Sequence, residues 1–236
     1  MKIPILMYHS ISNDNSDLSI SLVNFEKQIK FLKDLNFETI EFDDINKAKR
    51  NSFILTFDDG YKDNLTNALP ILKKYNYTAT CFVVSDLIGK SNLWDKNYKN
   101  FKHKELLTIH DLVEWNKSGM KIGSHTKNHL NITKINEEDI DEEIQSSKKK
   151  IEDLIGTEIN SFSYPYGKVN KVTAEKVRSI YKYAVTTVKS RFNSTKHNLN
   201  FIPRIHMSNN FSKLKIFIKM KTFYEDLKYN EKQLYM

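Results

Sequence analysis

Four short segments carry residue types able to do chemistry together. The apolar run Phe53 to Phe57 ends in two adjacent carboxylates and a glycine, Asp58-Asp59-Gly60. Successive strand residues point to opposite faces, so both acids reach one cavity only if the backbone turns there, and Gly60 permits that turn. Taken alone, the pair is also an ordinary hydrophilic turn. Gly123-Ser124-His125-Thr126-Lys127-Asn128-His129 places two histidines four residues apart, directly after another apolar run. If that segment turns helically, the rings converge on one ion. One Asp and two His give three ligands with open positions, the pattern of a catalytic rather than a structural metal. Tyr164-Pro165-Tyr166-Gly167 is a rigid turn that can aim a backbone N–H at a developing oxyanion, or simply a proline turn. Met7-Tyr8-His9 offers a histidine as a general acid or as a satisfied structural residue.

The elements that must position these residues alternate. Strands are expected at Ile3–Tyr8, Phe37–Phe42, Phe53–Phe57, Thr78–Val84, Met120–Ser124, Ser161–Tyr164, Tyr183–Val188 and Ile202–Met207. Leu22, Phe25, Ile29, Leu32 and Leu35 recur at helical spacing behind a Ser21 cap. Asn64–Tyr75 reads as a helix with Pro70 as a kink or break. Thr108 opens a helix that Gly119 ends. Asn136 caps another with an acidic start and basic finish that suit the helix dipole, closed at Gly156. Lys171–Tyr181 is helical, and a last amphipathic helix begins near Phe211.

Such alternation implies an α/β fold of parallel strands joined by right-handed crossovers. The number of units points to a distorted (β/α) barrel rather than an open sheet, and barrels carry their chemistry at the C-terminal strand ends. All four segments lie at such ends. No Gly/Ser/Pro-rich linker divides the chain, so residues 1–236 are expected to form one domain with a helical extension from about 211.

Of 236 residues, 39% are hydrophobic and 28% charged, ordinary for a globular protein. The net charge of +8 favours anionic partners, but lysine is spread along the chain, the mark of solvated faces. The final helix, with Lys213, Lys215, Lys219 and Lys221, leaves peripheral membrane contact open, and no nucleic-acid partner is expected. The single cysteine, Cys81, excludes an intrachain disulfide and reads as a buried thiol. The opening MKIPILMYHS lacks the apolar core of a leader, so the chain reads as cytoplasmic as given, or as surface or periplasmic if a leader was trimmed.

Together TFDDG (56–60), SHTKNH (124–129), YPYG (164–167), PILMYHSI (4–11), LKDLNFETI (32–40) and IPRI (202–205) resemble the polysaccharide deacetylase family, which shares the NodB homology domain. The likeness is strongest to the branch acting on poly-N-acetylglucosamine. It implies a distorted barrel and a divalent metal, usually zinc. Asp59, His125 and His129 would be the ligands, Asp58 the general base and the Tyr166 backbone N–H an oxyanion donor. His9 is the expected general acid, with His206 as rival. Many members carry an arginine where this chain has Ser163, and Arg204 of IPRI is expected to supply the missing guanidinium and orient Asp58. The substrate would be an N-acetylated glycan or sugar precursor, with Tyr61, Trp94 and Tyr98 as candidate groove aromatics. A deformylase or amidase on the same scaffold, or a non-catalytic carbohydrate-binding relative, are the alternatives.

Overall fold

The computed structural model describes residues 1–14, 16–97 and 100–229; Tyr98 lies outside them. Seven parallel strands close on themselves in chain order: β1 (Ile5–Tyr8), β2 (Ser52–Phe57), β3 (Thr80–Val83), β4 (Lys121–Ser124), β5 (Ser161–Ser163), β6 (Tyr183–Lys189) and β7 (Ile202–His206). Closure is made by β7 pairing with β1, and β1 with β2. Outside the ring lie α1 (Leu22–Asp34), α2 (Leu69–Lys74), α3 (Ile109–Lys117), α4 (Glu137–Asp141), α5 (Ser147–Ile155), α6 (Lys171–Ile180) and α7 (Lys213–Lys221). No helix of the described residues is long and apolar enough to cross a membrane.

Every residue of β2 is buried, because one face meets helices and the other the barrel lumen. The period-2 alternation sorts them. Phe53, Leu55 and Phe57 join the large cluster under the helices, with Leu6, Tyr8, Cys81, Val83, Phe162 and Ile205. Ile5, Ile54, Phe82, Val185 and Ile202 form a second cluster inside the ring. Continuing each inward series toward the C-terminal end changes its chemistry: Ile54, Thr56, Asp58 on β2, and Ile202, Arg204, His206 on β7. The lumen is therefore an apolar plug below and a polar mouth above.

Local signals account for most boundaries. Ser21, Thr108 and Asn136 accept the N–H three residues on, and Thr108 with Asp111 completes a capping box. Two expectations are corrected. The strand placed at Phe37–Phe42 is only the pair Glu38–Thr39 beside β2, followed by a 3₁₀ helix from Phe42 to Lys47, whose Phe42 and Ile45 plug the lower lumen. Pro70 does not break its helix: a wide π-helical turn, Asn64–Ala68, precedes it, and the proline sits in the first turn of α2, where its missing N–H costs little. On α7, Ile216 and Met220 join the main core. Lys213 and Lys215 are exposed there, whereas Lys219 is buried against Glu225 rather than solvated.

Candidate active site

Strand parity would send Asp58 into the lumen and Asp59 away from it. The turn reverses the second: Asp59 and Gly60 adopt left-handed φ values of 74° and 73°. Gly60 supplies this turn without strain, and a Cβ there would stand 3.0 Å from Val83 Cγ1. Both carboxylates end up buried at the mouth.

Asp59 Oδ1 lies 3.4 Å from His125 Nε2 and 3.4 Å from His129 Nε2. All three ligand atoms are within 4.8 Å of one another and buried. Metal arms of about 2.0–2.1 Å in a tetrahedron set ligand atoms roughly 3.3–3.4 Å apart, so these spacings fit a zinc-sized ion. The His125 tautomer suits the same purpose. His125 Nδ1 is 2.7 Å from the Ser163 carbonyl, to which it donates its proton, so in the neutral ring Nε2, on the side of Asp59, is the atom free to bind a metal. His129 Nδ1 is 3.2 Å from the Tyr166 hydroxyl. The Trp94 ring lies over His129, centroids 4.6 Å apart.

Arg204, fully buried on β7, grips Asp58 with both ends of its fork: Nη1 to Oδ1 and Nη2 to Oδ2, each at 2.7 Å. Its Nε donates to the Thr186 carbonyl at 2.9 Å, and Nη1 and Nη2 also reach Thr56 Oγ1 and Ser163 Oγ. The guanidinium lies 5.9 Å from the centre of the Phe82 ring, at the boundary between the apolar plug and the polar mouth. Ser163 Oγ donates to Asp58 at 3.3 Å, so the residue standing where the resemblance leads one to expect arginine belongs to the same network.

Burial alone would raise the Asp58 carboxyl, but the Arg204 charge and hydrogen bonds hold it below its ordinary value. Burial likewise opposes Asp59, and the bonded histidines hold its carboxyl well below the usual range. Burial lowers His125, yet Asp59 outweighs it and the net shift is upward; for His129 burial prevails and the shift is downward.

His9 and His206 face each other, ring centroids 6.2 Å apart. Burial first, then the neighbouring cations, pushes His206 down to about 4. The loop carrying His9 is pinned by two residues that the sequence reading did not single out. Asn64 Nδ2 donates to the His9 carbonyl at 2.7 Å, and Asp63 accepts from Ser10 Oγ and the Ile11 N–H.

Strain gathers at the mouth. Among the described non-glycine residues with left-handed φ, Asn36, Asn51 and Asn76 are of the type that adopts it most readily. The others are Asp59, Thr126, His129 and Tyr166, all in the three motif loops. Tyr166 is followed by Gly167, whose close packing leaves no room for a side chain: a Cβ there would lie 1.9 Å from Thr187 Oγ1. A cleft of about 400 Å³ opens beside the mouth, lined by Tyr61 and Tyr166 together with Asp17, Asp95, Phe101 and Lys104. Tyr61 is thus where a groove aromatic was expected, and Trp94 stacks on a ligand candidate instead.

A family model described as polysaccharide deacetylase matches residues 45–185, which hold Asp58, Asp59, His125, His129 and Tyr166 but neither His9 nor Arg204. A Bacillus subtilis (strain 168) protein assigned to the polysaccharide deacetylases is 34% identical over 79% of this chain, which spans 64% of that relative's length. A poly-beta-1,6-N-acetyl-D-glucosamine N-deacetylase of Staphylococcus aureus (strain MRSA252) is 27% identical over 86% of this chain and 72% of its own. Among solved structures, a Streptococcus pyogenes deacetylase in complex with acetate superposes with a TM-score of 0.81 at 26% identity, over 94% of this chain and 99% of that one.

Proposed function

The chain belongs to the polysaccharide deacetylase family, and from that premise we propose that it is a metal-dependent hydrolase that removes N-acetyl groups from amino sugars of a surface polysaccharide or its precursor. The observation that carries this reading is the adjacency of two differently held carboxylates. Asp59 faces the Nε2 atoms of two imidazoles, while Asp58 beside it is clamped by Arg204.

Asp59, His125 and His129 would hold the metal, which lowers the pKa of water and polarises the amide carbonyl when bound. Asp58 acts as general base. Arg204 fixes both of its oxygens and keeps it ionised, so the proton acceptor is always in the receptive form near neutral pH. The same clamp weakens it as a base, so its task is to take a proton from an already acidified donor. The Tyr166 backbone N–H, on its left-handed turn, is the oxyanion donor. The departing amine leaves readily only when protonated. His9 supplies that proton; His206, held at about 4, is neutral near pH 7 and has none to give. The 27% identical deacetylase of poly-beta-1,6-N-acetyl-D-glucosamine supports a β-linked N-acetylglucosamine polymer as the substrate class.

The test is acetate release from N-acetylglucosamine oligomers, with and without a chelator. Release that stops with chelator and returns with zinc is the expected result. No release from any N-acetylated glycan, alongside metal binding, would leave a carbohydrate-binding relative instead.

A further inference from the structure

A buried carboxylate that does not face the mouth holds the histidine loop from behind. Glu143 is 4% exposed and lies on a wide π-helical turn, Glu142–Ser146, between α4 and α5. Its Oε2 accepts the backbone N–H of Lys127 at 3.0 Å and of Asn128 at 2.9 Å. Its Oε1 accepts Asn128 Nδ2 at 2.7 Å. One helical turn on, Ser147 Oγ donates to the Thr126 carbonyl at 3.0 Å and lies 2.7 Å from Ser124 Oγ. From the other side, the Ser85 and Asp86 N–H groups donate to the carbonyls of Thr126 and Lys127. The segment between the two histidines is therefore bonded at each residue from Thr126 to Asn128, and Glu143 makes three of those bonds.

The loop needs such support. Thr126 and His129 hold φ values of 66° and 60°, a region that L-residues disfavour, β-branched threonine most of all. Two consecutive N–H groups aimed at one carboxylate oxygen define the turn that brings the His129 ring back over Asp59. A π-helical turn is itself an irregularity found at functional sites. Here it puts Glu143 and Ser147 on the side facing the loop while Ile140, Ile144 and Ile151 remain in the core.

The geometry points to Glu143 as a positioning residue for the metal centre: it fixes the backbone turn that lets His125 and His129 present their Nε2 atoms to one ion. This rests on the metal-hydrolase reading given above. Glu143→Ala removes both acceptor oxygens and the three bonds they make, leaving two part-buried backbone N–H groups without that partner, so the turn relaxes and His129 withdraws. Zinc affinity is expected to fall about 10- to 100-fold, the usual effect of losing a group that orients a ligand. Glu143→Gln keeps one carbonyl oxygen for the backbone pair and loses the acceptor for Asn128. Its zinc affinity is expected to fall less than about 10-fold but measurably.

Zinc affinity of the full chain is read by competition with a chromophoric chelator, the coordination geometry by the cobalt(II) absorption spectrum, and the fold by thermal melting of the metal-free protein. A Glu143→Ala protein that melts cooperatively, binds zinc weakly and gives an altered cobalt spectrum supports the inference. One that loses thermal stability yet keeps parental zinc affinity and spectrum overturns it and leaves Glu143 a purely structural residue. If Glu143→Ala does not fold, Glu143→Gln decides: unchanged zinc affinity overturns the inference, a graded loss supports it. A parent chain that binds no zinc defeats the metal-hydrolase reading and this inference with it. A parent that binds zinc but releases no acetate defeats only the former.

Discussion

Replacing Arg204 with methionine isolates the clamp on Asp58. The methionine keeps much of the side-chain volume against Phe82 but strands a carboxylate that is 3% exposed. Removing one partner of a buried ion pair costs about 3–5 kcal/mol, because the other charge stays buried without compensation. The pH dependence fixes the sign. With Arg204 present, the Asp58 carboxyl lies below its ordinary value, so its contribution to stability is complete above about pH 4 and fades as pH falls through the depressed value. Without Arg204, burial is the largest influence left and the carboxyl should move above 3.8. The Arg204→Met penalty should therefore be greatest near pH 7 and shrink as pH falls through the raised value, where the stranded group takes up a proton. Urea unfolding at pH 7 and pH 5 measures this, and the acid limb of the kcat/KM profile should shift to higher pH in parallel. In the double variant with Asp58→Asn no charge remains to be stranded, so the cycle should give a coupling of at least about 2 kcal/mol. A penalty under about 1 kcal/mol at pH 7, with an unmoved acid limb, would refute the clamp.

Further expectations follow from other parts of the site. Asp58→Asn should keep its metal and lose at least about 100-fold in rate, checked by elemental analysis beside acetate release. His125→Ala should lose metal first, so full occupancy in that variant would exclude the ligand set. His206 sits at about 4 in the fold against 6.5 ordinarily, so the unfolded chain takes its proton first and stability should fall as pH drops from about 6.5 to about 4. That loss has a ceiling of about 3 kcal/mol, and His206→Gln should flatten this part of the stability curve. Gly167→Ala places a Cβ against Thr187 at a φ of 65° and should destabilise the fold by more than about 2 kcal/mol, with loss of activity through Tyr166.

Much of this arrangement can be read from sequence because barrel geometry converts strand ends into a cavity. The apolar runs before Asp58, His125 and Tyr164 were enough to place three motif loops at one mouth. The capped helices at Ser21, Thr108 and Asn136 were legible because capping is a local hydrogen bond. The Arg204 contact with Asp58 was also within reach: Ile202, Arg204 and His206 alternate with Pro203 and Ile205, and period-2 counting sends the arginine inward. What escaped depends on contacts far apart in the chain. The Phe37–Phe42 segment has strand-like residues but buries Phe42 in the barrel floor through a 3₁₀ turn, a packing outcome that propensity does not register. The Pro70 helix survives by widening one turn, which no pairwise rule announces. Glu143 looks like one more acid in the acidic stretch Glu137–Glu143 until the histidine loop folds against it. Asn64 and Asp63, likewise, show no sign in sequence of holding the loop that carries His9.

The proposed centre is one ion held between three side chains beside a clamped carboxylate. Diffraction from zinc-soaked crystals, measured on both sides of the zinc absorption edge, addresses it directly. The expected result is a single strong anomalous peak about 2.0–2.2 Å from Asp59 Oδ1, His125 Nε2 and His129 Nε2, with Asp58 outside the coordination shell. A fully occupied soak with no peak there, or with Asp58 rather than Asp59 as the carboxylate ligand, would contradict it.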